Sequence, residues 1–245
     1  MKEEIMKRKA VLIGCSPPQN PCAKVNSDVS LIKDILLSLW GGAWQDDEIQ
    51  IVDTPTASEI TKHIEWAKGA DYSIVYFAGH GQIRKGRFPW KETHVQTHDM
   101  KFLPESDLNP GTPWCSQIFD CCRGIDESIL IEKFASTKLS TLKGKFETTV
   151  AKTHYNLKLS ACEKGVCRLY SASSGQSATT KPNTFTELLH RGIIDWLNSD
   201  CKYDITLNNL FEYIDFSTLK TDEGQQKPEY NGGRRLNHFP LVIRI

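Results

Sequence analysis

Residues 72–81, YSIVYFAGHG, form a short apolar stretch that ends at a glycine, with His80 and Gly81 directly after it. A second stretch of the same kind, SQIFDCCRG, occupies residues 116–124 and places Cys122 at its break. Apolar runs of about four to eight residues are typical of buried strands in a parallel sheet. The residues that follow such strands line the crevice at the carboxyl edge of the sheet. We therefore expect the histidine and the cysteine to meet there, where a histidine can generate a thiolate nucleophile.

The surrounding sequence predicts a single α/β domain with a mostly parallel sheet. Strand-like runs alternate with amphipathic segments, and Thr56-x-x-Glu59 and Thr184-x-x-Glu187 are capping boxes that open two of the helices. Such alternation favours right-handed crossovers with helices on both faces of the sheet. The predicted strands are 9–15, 48–53, 72–79, 116–121, 166–172 and 239–245, and the predicted helices start near residues 25, 56, 184 and 207. Residues 82–115 are irregular, and we expect a loop or a small hairpin near the crevice.

Composition excludes several classes of protein. Thirty basic and thirty acidic residues cancel, so the chain has no electrostatic footprint for nucleic acid. No apolar run approaches the roughly 18 residues of a membrane span, and no secretory signal is visible. We therefore expect a cytoplasmic protein whose eight cysteines are reduced. The cysteine and histidine spacings do not match a zinc site, so we expect no metal and no cofactor.

The segment 126–165 is polar, with several serines and threonines and one helical pattern near 129–134. We expect it to be loosely packed and mobile, and therefore open to proteolysis. Its seven lysines are Lys133, Lys138, Lys143, Lys145, Lys152, Lys158 and Lys164.

Several residues at the two strand ends suit acyl transfer, although each has a plainer interpretation. The N–H groups of Gly81 and Cys122 could stabilise an oxyanion. Asp120 lies two residues before the cysteine and on a strand faces the same side, where a substrate cation would compensate its charge. The plainer interpretations are a buried filler cysteine, a structural histidine, and an aspartate paired with Arg123 or another arginine.

The two motifs resemble those of the caspase–metacaspase superfamily of cysteine peptidases. The caspase signature Q-A-C-[RQG]-G, with its histidine upstream, matches residues 122–124 and His80. Asp120 stands where caspases carry glutamine, which is the metacaspase pattern, and Ala78 replaces that family's serine. The order of elements resembles the family over nearly the whole chain. The resemblance implies a three-layer fold with a mostly parallel six-stranded sheet. It also implies a large-subunit-like part (about 1–125), a linker (about 126–165) and a small-subunit-like part (about 166–245).

The resemblance also implies roles for residues around the crevice. An aspartate at position 120 implies cleavage after a basic residue, the P1 residue, which would occupy a pocket called S1. Asp28 is the candidate for a second acidic S1 residue, and the alternative is a carboxylate favoured by the helix macrodipole. Ser171 and Ser173, at the end of the strand after the linker, are the candidates for the substrate-binding wall. The acidic cluster that binds calcium in many metacaspases is not evident, so the sequence does not support calcium dependence.

Three functions follow from these patterns. The first is a cysteine endopeptidase with a Cys122–His80 dyad that cuts protein substrates at exposed Arg, then Lys, residues. Control by an activating partner protein and a part in bacterial defence or cell death are implied by family analogy. The second is a catalytically silent interaction scaffold, which would not need the intact His–Cys pair. The third is a thiol redox protein using Cys121 and Cys122, although vicinal cysteines rarely form an unstrained disulfide.

Overall fold

A computed structural model describes residues 6–19, 21–22, 24–85, 91–124, 145–178, 184–221 and 224–245. The strands are β1 (Arg8–Cys15), β2 (Ile49–Asp53), β3 (Tyr72–Gly79), β4 (Gly81–Lys85), β5 (Lys91–Gln96), β6 (Phe102–Pro104), β7 (Trp114–Cys121), β8 (Gly165–Tyr170), β9 (Ile205–Thr206), β10 (Lys220–Thr221), β11 (Gly224–Gln225), β12 (Glu229–Asn231) and β13 (Pro240–Val242). The helices are α1 (Val25–Leu37), α2 (Ala57–Ala67), α3 (Lys145–Ser160), α4 (Phe185–Leu197) and the single turn α5 (Leu210–Tyr213).

The central sheet has six strands in the order β12-β8-β7-β3-β1-β2. All neighbouring strands pair in parallel except β12, which runs antiparallel to β8 at one edge. The predicted fold class is therefore confirmed. In the centre, β3 pairs with β7 in a register that sets Ala78 opposite Asp120 and Gly79 opposite Cys121.

Helices cover both faces of this sheet, because side chains of buried strands alternate between the faces. One apolar cluster joins the sheet to α1, α3 and α4, with Ile32, Tyr155 and Leu189 among its members. The other cluster joins the opposite face to α2 through Ile60 and Ile64. The result is a three-layer α/β/α arrangement. No helix in the described ranges is both long and apolar enough to cross a membrane.

The capping boxes are confirmed. The Thr56 hydroxyl accepts the Glu59 N–H at the start of α2, and the Thr184 hydroxyl accepts the Glu187 N–H at the start of α4. The start of α4, where Thr184 and Glu187 lie, faces the candidate site.

Part of the predicted mobile segment is a packed helix, so that expectation is wrong for α3. Ala151, Tyr155 and Leu159 recur every fourth residue and are buried. The Tyr155 hydroxyl donates to the Pro240 carbonyl at 2.7 Å. Lysines and threonines between these positions conceal the apolar stripe in the sequence. The helical pattern at 129–134 lies outside the described residues.

Three further predictions require correction. The C-terminal apolar run does not close the central sheet, because β13 pairs antiparallel with β9 outside it, and β12 supplies the sixth strand. Residues 82–115 include a three-stranded antiparallel sheet, β4-β5-β6, rather than a loop or small hairpin. The helix predicted to start near residue 207 is reduced to the single turn α5.

Candidate active site

The predicted histidine follows β3 at a tight point in the backbone. Gly79 has φ of +152°, and a Cβ added there would lie 2.6 Å from the Cys15 carbonyl oxygen. The carbonyl of His80 accepts the N–H of Gln96 at 2.9 Å, which anchors it to the three-stranded sheet. The residue itself is only 8 % exposed. Its backbone is therefore held between the central sheet and β5.

Because Gly81 has no side chain, the backbone that carries the predicted nucleophile approaches the start of β4 closely. A Cβ added to Gly81 would meet Cys121 Sγ at 2.6 Å and the Cys122 carbonyl oxygen at 2.9 Å. Any larger residue would push β4 away from the end of β7. The assignment of its N–H to an oxyanion site remains a prediction, although its backbone lies beside the expected nucleophile.

Cys122 follows the last residue of β7, directly beside the end of β3. Because Gly79 pairs with Cys121 in parallel register, the next residues of both strands, His80 and Cys122, emerge at the same edge. The Cys122 Sγ accepts the N–H of Ala178 at 3.2 Å. The predicted histidine and cysteine therefore share one location.

A narrow cavity of about 20 Å³ opens at this edge, with room for about one water molecule. We call it the edge cavity. It is lined by His80 and Cys122 together with both predicted acidic residues, Asp28 and Asp120, and with Lys24. The structure thus brings together four of the side chains that the sequence assigns to one site.

The two carboxylates of the edge cavity are deeply buried, at 4 % exposure for Asp28 and 9 % for Asp120. Burial, then repulsion from Asp120 and Glu187, raises the pKa of Asp28 well above its ordinary value. Burial is also the main cause that raises the pKa of Asp120. Within the described part of the chain, neither carboxylate makes an ion pair with a lysine or arginine.

Arg123 does not neutralise Asp120, so that alternative is wrong. Its guanidinium lies 2.6 Å from Glu229 Oε2, donates to the hydroxyl of Thr93, and stacks over the ring of Tyr170. Arg123 instead joins the end of β7 to β5, β8 and β12.

Hydroxyl groups from the first turn of α4 hold both carboxylates. Thr184 Oγ1 donates to Asp28 Oδ1 at 3.1 Å, and Thr186 Oγ1 donates to Asp120 Oδ2 at 2.7 Å. Such bonds to the ionised form lower a carboxyl pKa and so oppose the effect of burial. In the same turn, Glu187 pairs with the buried ammonium of Lys24 at 2.8 Å.

Ser171 and Ser173 lie near the strand end but not around the edge cavity. Ser171 is fully buried, and its hydroxyl is 3.5 Å from the Cys121 carbonyl. It also hydrogen-bonds Asp120, and this bond opposes the rise in the pKa of that carboxyl. Ser173 donates to the carbonyl of Lys227 at 2.9 Å. Their assignment to a substrate-binding wall remains a prediction.

Cys121 faces the opposite side of the sheet from Asp120, as strand alternation predicts. It packs in the cluster with Ile13 and Phe119, and burial raises the pKa of its thiol well above the ordinary value. All eight cysteines are free thiols. The redox interpretation, which needs a bond between Cys121 and Cys122, therefore gains no support.

The described residues contain no group of three or more His, Cys, Asp or Glu side chains arranged to hold a metal ion. The acidic pair that follows the cysteine in sequence, Asp126 and Glu127, lies outside the described residues.

Sequence reasoning missed Lys24, Thr184, Thr186 and Tyr76 as members of the site. The threonines were visible only as a helix cap and its neighbour, because nothing in the sequence shows which face of β7 the first turn of α4 approaches. Tyr76 OH lies 2.8 Å from Thr186 Oγ1, inside what the sequence marks simply as an apolar strand.

A three-layer α/β fold with a histidine and a cysteine at neighbouring strand ends is the arrangement of a class of cysteine peptidases. The model of the caspase domain family matches residues 7–232, and the chain therefore belongs to that family. Among solved structures, it is similar to caspase-1 from Spodoptera frugiperda, with a TM-score of 0.58 and 12 % sequence identity. That match covers 93 % of this chain and 86 % of the insect protein, and it supports the fold. A search of curated proteins found no match.

Proposed function

We propose that this protein is a cysteine endopeptidase that cleaves protein substrates after arginine and, less efficiently, after lysine. The observation that carries the proposal is the pair of buried carboxylates, Asp28 and Asp120, that share the edge cavity with Cys122. Two buried carboxylates that form no direct ion pair within the described residues are costly even with the Lys24 ammonium in the same cavity, and a substrate guanidinium or ammonium would relieve that cost.

The chemistry follows from the positions of His80 and Cys122. The imidazole accepts the thiol proton, and the resulting thiolate attacks the carbonyl carbon of the scissile peptide bond. The N–H groups of Gly81 and Cys122 stabilise the oxyanion that forms. Collapse of this intermediate breaks the C–N bond, and the imidazolium gives its proton to the leaving amine. Water then attacks the thioester with the imidazole as base, which releases the acid product and restores the thiol.

In this proposal the edge cavity is the S1 pocket. Because its volume of about 20 Å³ fits about one water molecule, an arginine side chain enters only when the walls move apart. That requirement favours control by an activating partner protein, which the family resemblance also suggests. A part in bacterial defence or cell death rests on the resemblance alone.

The test is hydrolysis of a fluorogenic peptide library that varies at P1, with Cys122→Ala as the control for contaminating peptidases. We expect cleavage after Arg, weaker cleavage after Lys, and labelling of Cys122 alone by an arginine-based chloromethyl ketone. A profile that favours P1 aspartate, or one with no P1 preference, would refute the proposed specificity. Absence of hydrolysis and of labelling would instead favour the silent scaffold.

A further inference from the structure

Asp120 stands at the end of a chain of buried hydroxyl groups. Tyr76 OH lies 2.8 Å from Thr186 Oγ1, which lies 2.7 Å from Asp120 Oδ2. A threonine hydroxyl has one proton and gives it to the carboxylate, so the phenol must be the donor in the first of these bonds. Burial, then the charges of Asp120 and Asp28, raises the pKa of Tyr76 well above its ordinary value, and the phenol remains a donor.

The three residues come from three elements that pack at one point. Tyr76 lies on β3, Asp120 on β7, and Thr186 in the first turn of α4. Tyr76 and Thr186 are fully inaccessible to solvent, so water does not readily take the place of either hydroxyl when it is removed. The chain therefore fixes the direction of the Asp120 carboxylate and opposes the rise in its pKa that burial causes.

We infer that Tyr76 and Thr186 are positioning residues for basic P1 recognition, which they support by orienting Asp120 and stabilising its ionised form. The inference rests on the proposed function, because it assigns the supports of the proposed S1 pocket. Neither residue needs to touch the substrate. Thr184 gives Asp28 a comparable bond, but it also caps α4, so its substitution would confuse recognition with helix stability.

Tyr72 provides a matched control for Tyr76. It lies four residues earlier on β3, on the same face, and is equally buried. Its hydroxyl also bonds a buried hydroxyl, that of Ser116 at 2.9 Å, and it makes a further hydrogen bond with Tyr155. Tyr72→Phe therefore removes at least as much buried hydrogen bonding from the same strand without affecting the carboxylate.

The experiment measures kcat/KM for two peptides that differ only at P1, one with arginine and one with citrulline, its uncharged isostere. The ratio of the two values reports recognition of charge and cancels losses common to both substrates. We expect Thr186→Val to lower the ratio about 10-fold, since it removes a bond to a charged group, and Tyr76→Phe to lower it about 3-fold. Thr186→Ser, which keeps the hydroxyl, and Tyr72→Phe should leave the ratio unchanged.

The pH dependence of the same ratio gives a second measurement. Loss of a donor raises the carboxyl pKa, so the fall of the ratio at acid pH should begin at higher pH in Thr186→Val and Tyr76→Phe. Other ionisable groups face Asp120 too: Asp28 from α1, Glu187 from α4, and Lys24, Cys22, His80 and Cys122 around the edge cavity. The variants leave all of these in place.

The outcomes are separable. A wild-type ratio near one overturns the proposed specificity and the inference with it. A high wild-type ratio that neither Thr186→Val nor Tyr76→Phe lowers overturns the inference alone. Equal effects of Tyr72→Phe and Tyr76→Phe would show a general packing role and would also overturn it. Thermal unfolding of each variant identifies any that fail to fold, and Tyr76→Phe, which deletes a single oxygen, remains informative if Thr186→Val does not fold.

Discussion

Lys152 Nζ lies 2.9 Å from Glu48 Oε1, and this ion pair joins α3 to the turn before β2. The carboxylate of Glu48 also pairs at 2.9 Å with the guanidinium of Arg8, which is almost fully buried. The Lys152–Glu48 ion pair and the parallel pairing of β7 and β8 connect chain segments on the two sides of residues 125–144. A cut between those segments would leave these connections intact.

We predict that the active enzyme cleaves itself after Lys133, Lys138 or Lys143 and that the two fragments remain associated. Lys145 is the first residue of α3, Lys152 and Lys158 are held in α3 by ion pairs, and Lys164 lies over the ring of Trp114. Regular, packed backbone resists proteolysis. Intact-mass measurements over time should show processing in wild type but not in Cys122→Ala.

Replacing these three lysines with glutamine should prevent the cut, and Lys158→Gln should not. A full-length wild-type chain that hydrolyses Arg peptides at full rate would contradict the prediction, as would cleavage within α3.

The two neighbouring cysteines should differ sharply in their effect on catalysis. We predict that Cys122→Ala abolishes hydrolysis, whereas Cys121→Ala retains most of it and loses about 1 kcal/mol of stability through a lost core contact. His80→Ala should lose as much activity as Cys122→Ala, and the double variant should be little worse, because paired catalytic groups act as a unit. Initial rates and thermal unfolding measure both effects. Equal losses of activity from both cysteine variants would refute the assignment of Cys122.

Asp120→Asn should weaken recognition of arginine more than that of citrulline. Truncation of one partner of a buried charge pair costs roughly 2–5 kcal/mol, and the amide retains an oxygen to accept the Thr186 hydroxyl. The preference for Arg over Lys should also fall, since a planar guanidinium binds a carboxylate through two parallel bonds. The measurement is kcat/KM for peptides with Arg, Lys and citrulline at P1. Unchanged selectivity would remove Asp120 from the S1 pocket.

Asp28→Asn should make the protein more stable at neutral pH. The pKa of Asp28 in the folded state is raised above its ordinary value of 3.8. At pH values between the ordinary pKa and the raised pKa, the folded state therefore binds more protons than the unfolded state. The free energy of unfolding therefore falls as pH rises through that window. The amide variant lacks this loss, so its advantage should appear at pH 7 and vanish below about pH 4.

Melting temperatures measured against pH test this prediction. Exposed Asp47→Asn is the control and should follow the wild-type curve. A variant that is less stable than wild type at every pH would show that the Asp28 carboxylate stabilises the fold.

The sequence was sufficient to predict the central strands, because apolar runs with abrupt ends are a local signal. It also predicted that His80 and Cys122 share an edge, since strand ends in a parallel sheet are topologically constrained. It failed for α3, where lysines mask the apolar positions, and for β12, whose pairing with β8 depends on tertiary contacts. It could not reveal Thr186 or Tyr76, because a hydroxyl relay across three elements leaves no local pattern.

The hydroxyls that hold Asp28 and Asp120 have a consequence for what each half of the protein can do alone. The two carboxylates belong to the N-terminal part of the chain, whereas Thr184 caps α4 and Thr186 lies in its first turn, both beyond the predicted cleavage sites. Neither fragment contains a complete set of acids and donors. Under the proposed function, recognition of a basic residue would thus be a property of the assembled molecule, and a dissociated fragment would lose selectivity even if its nucleophile survived.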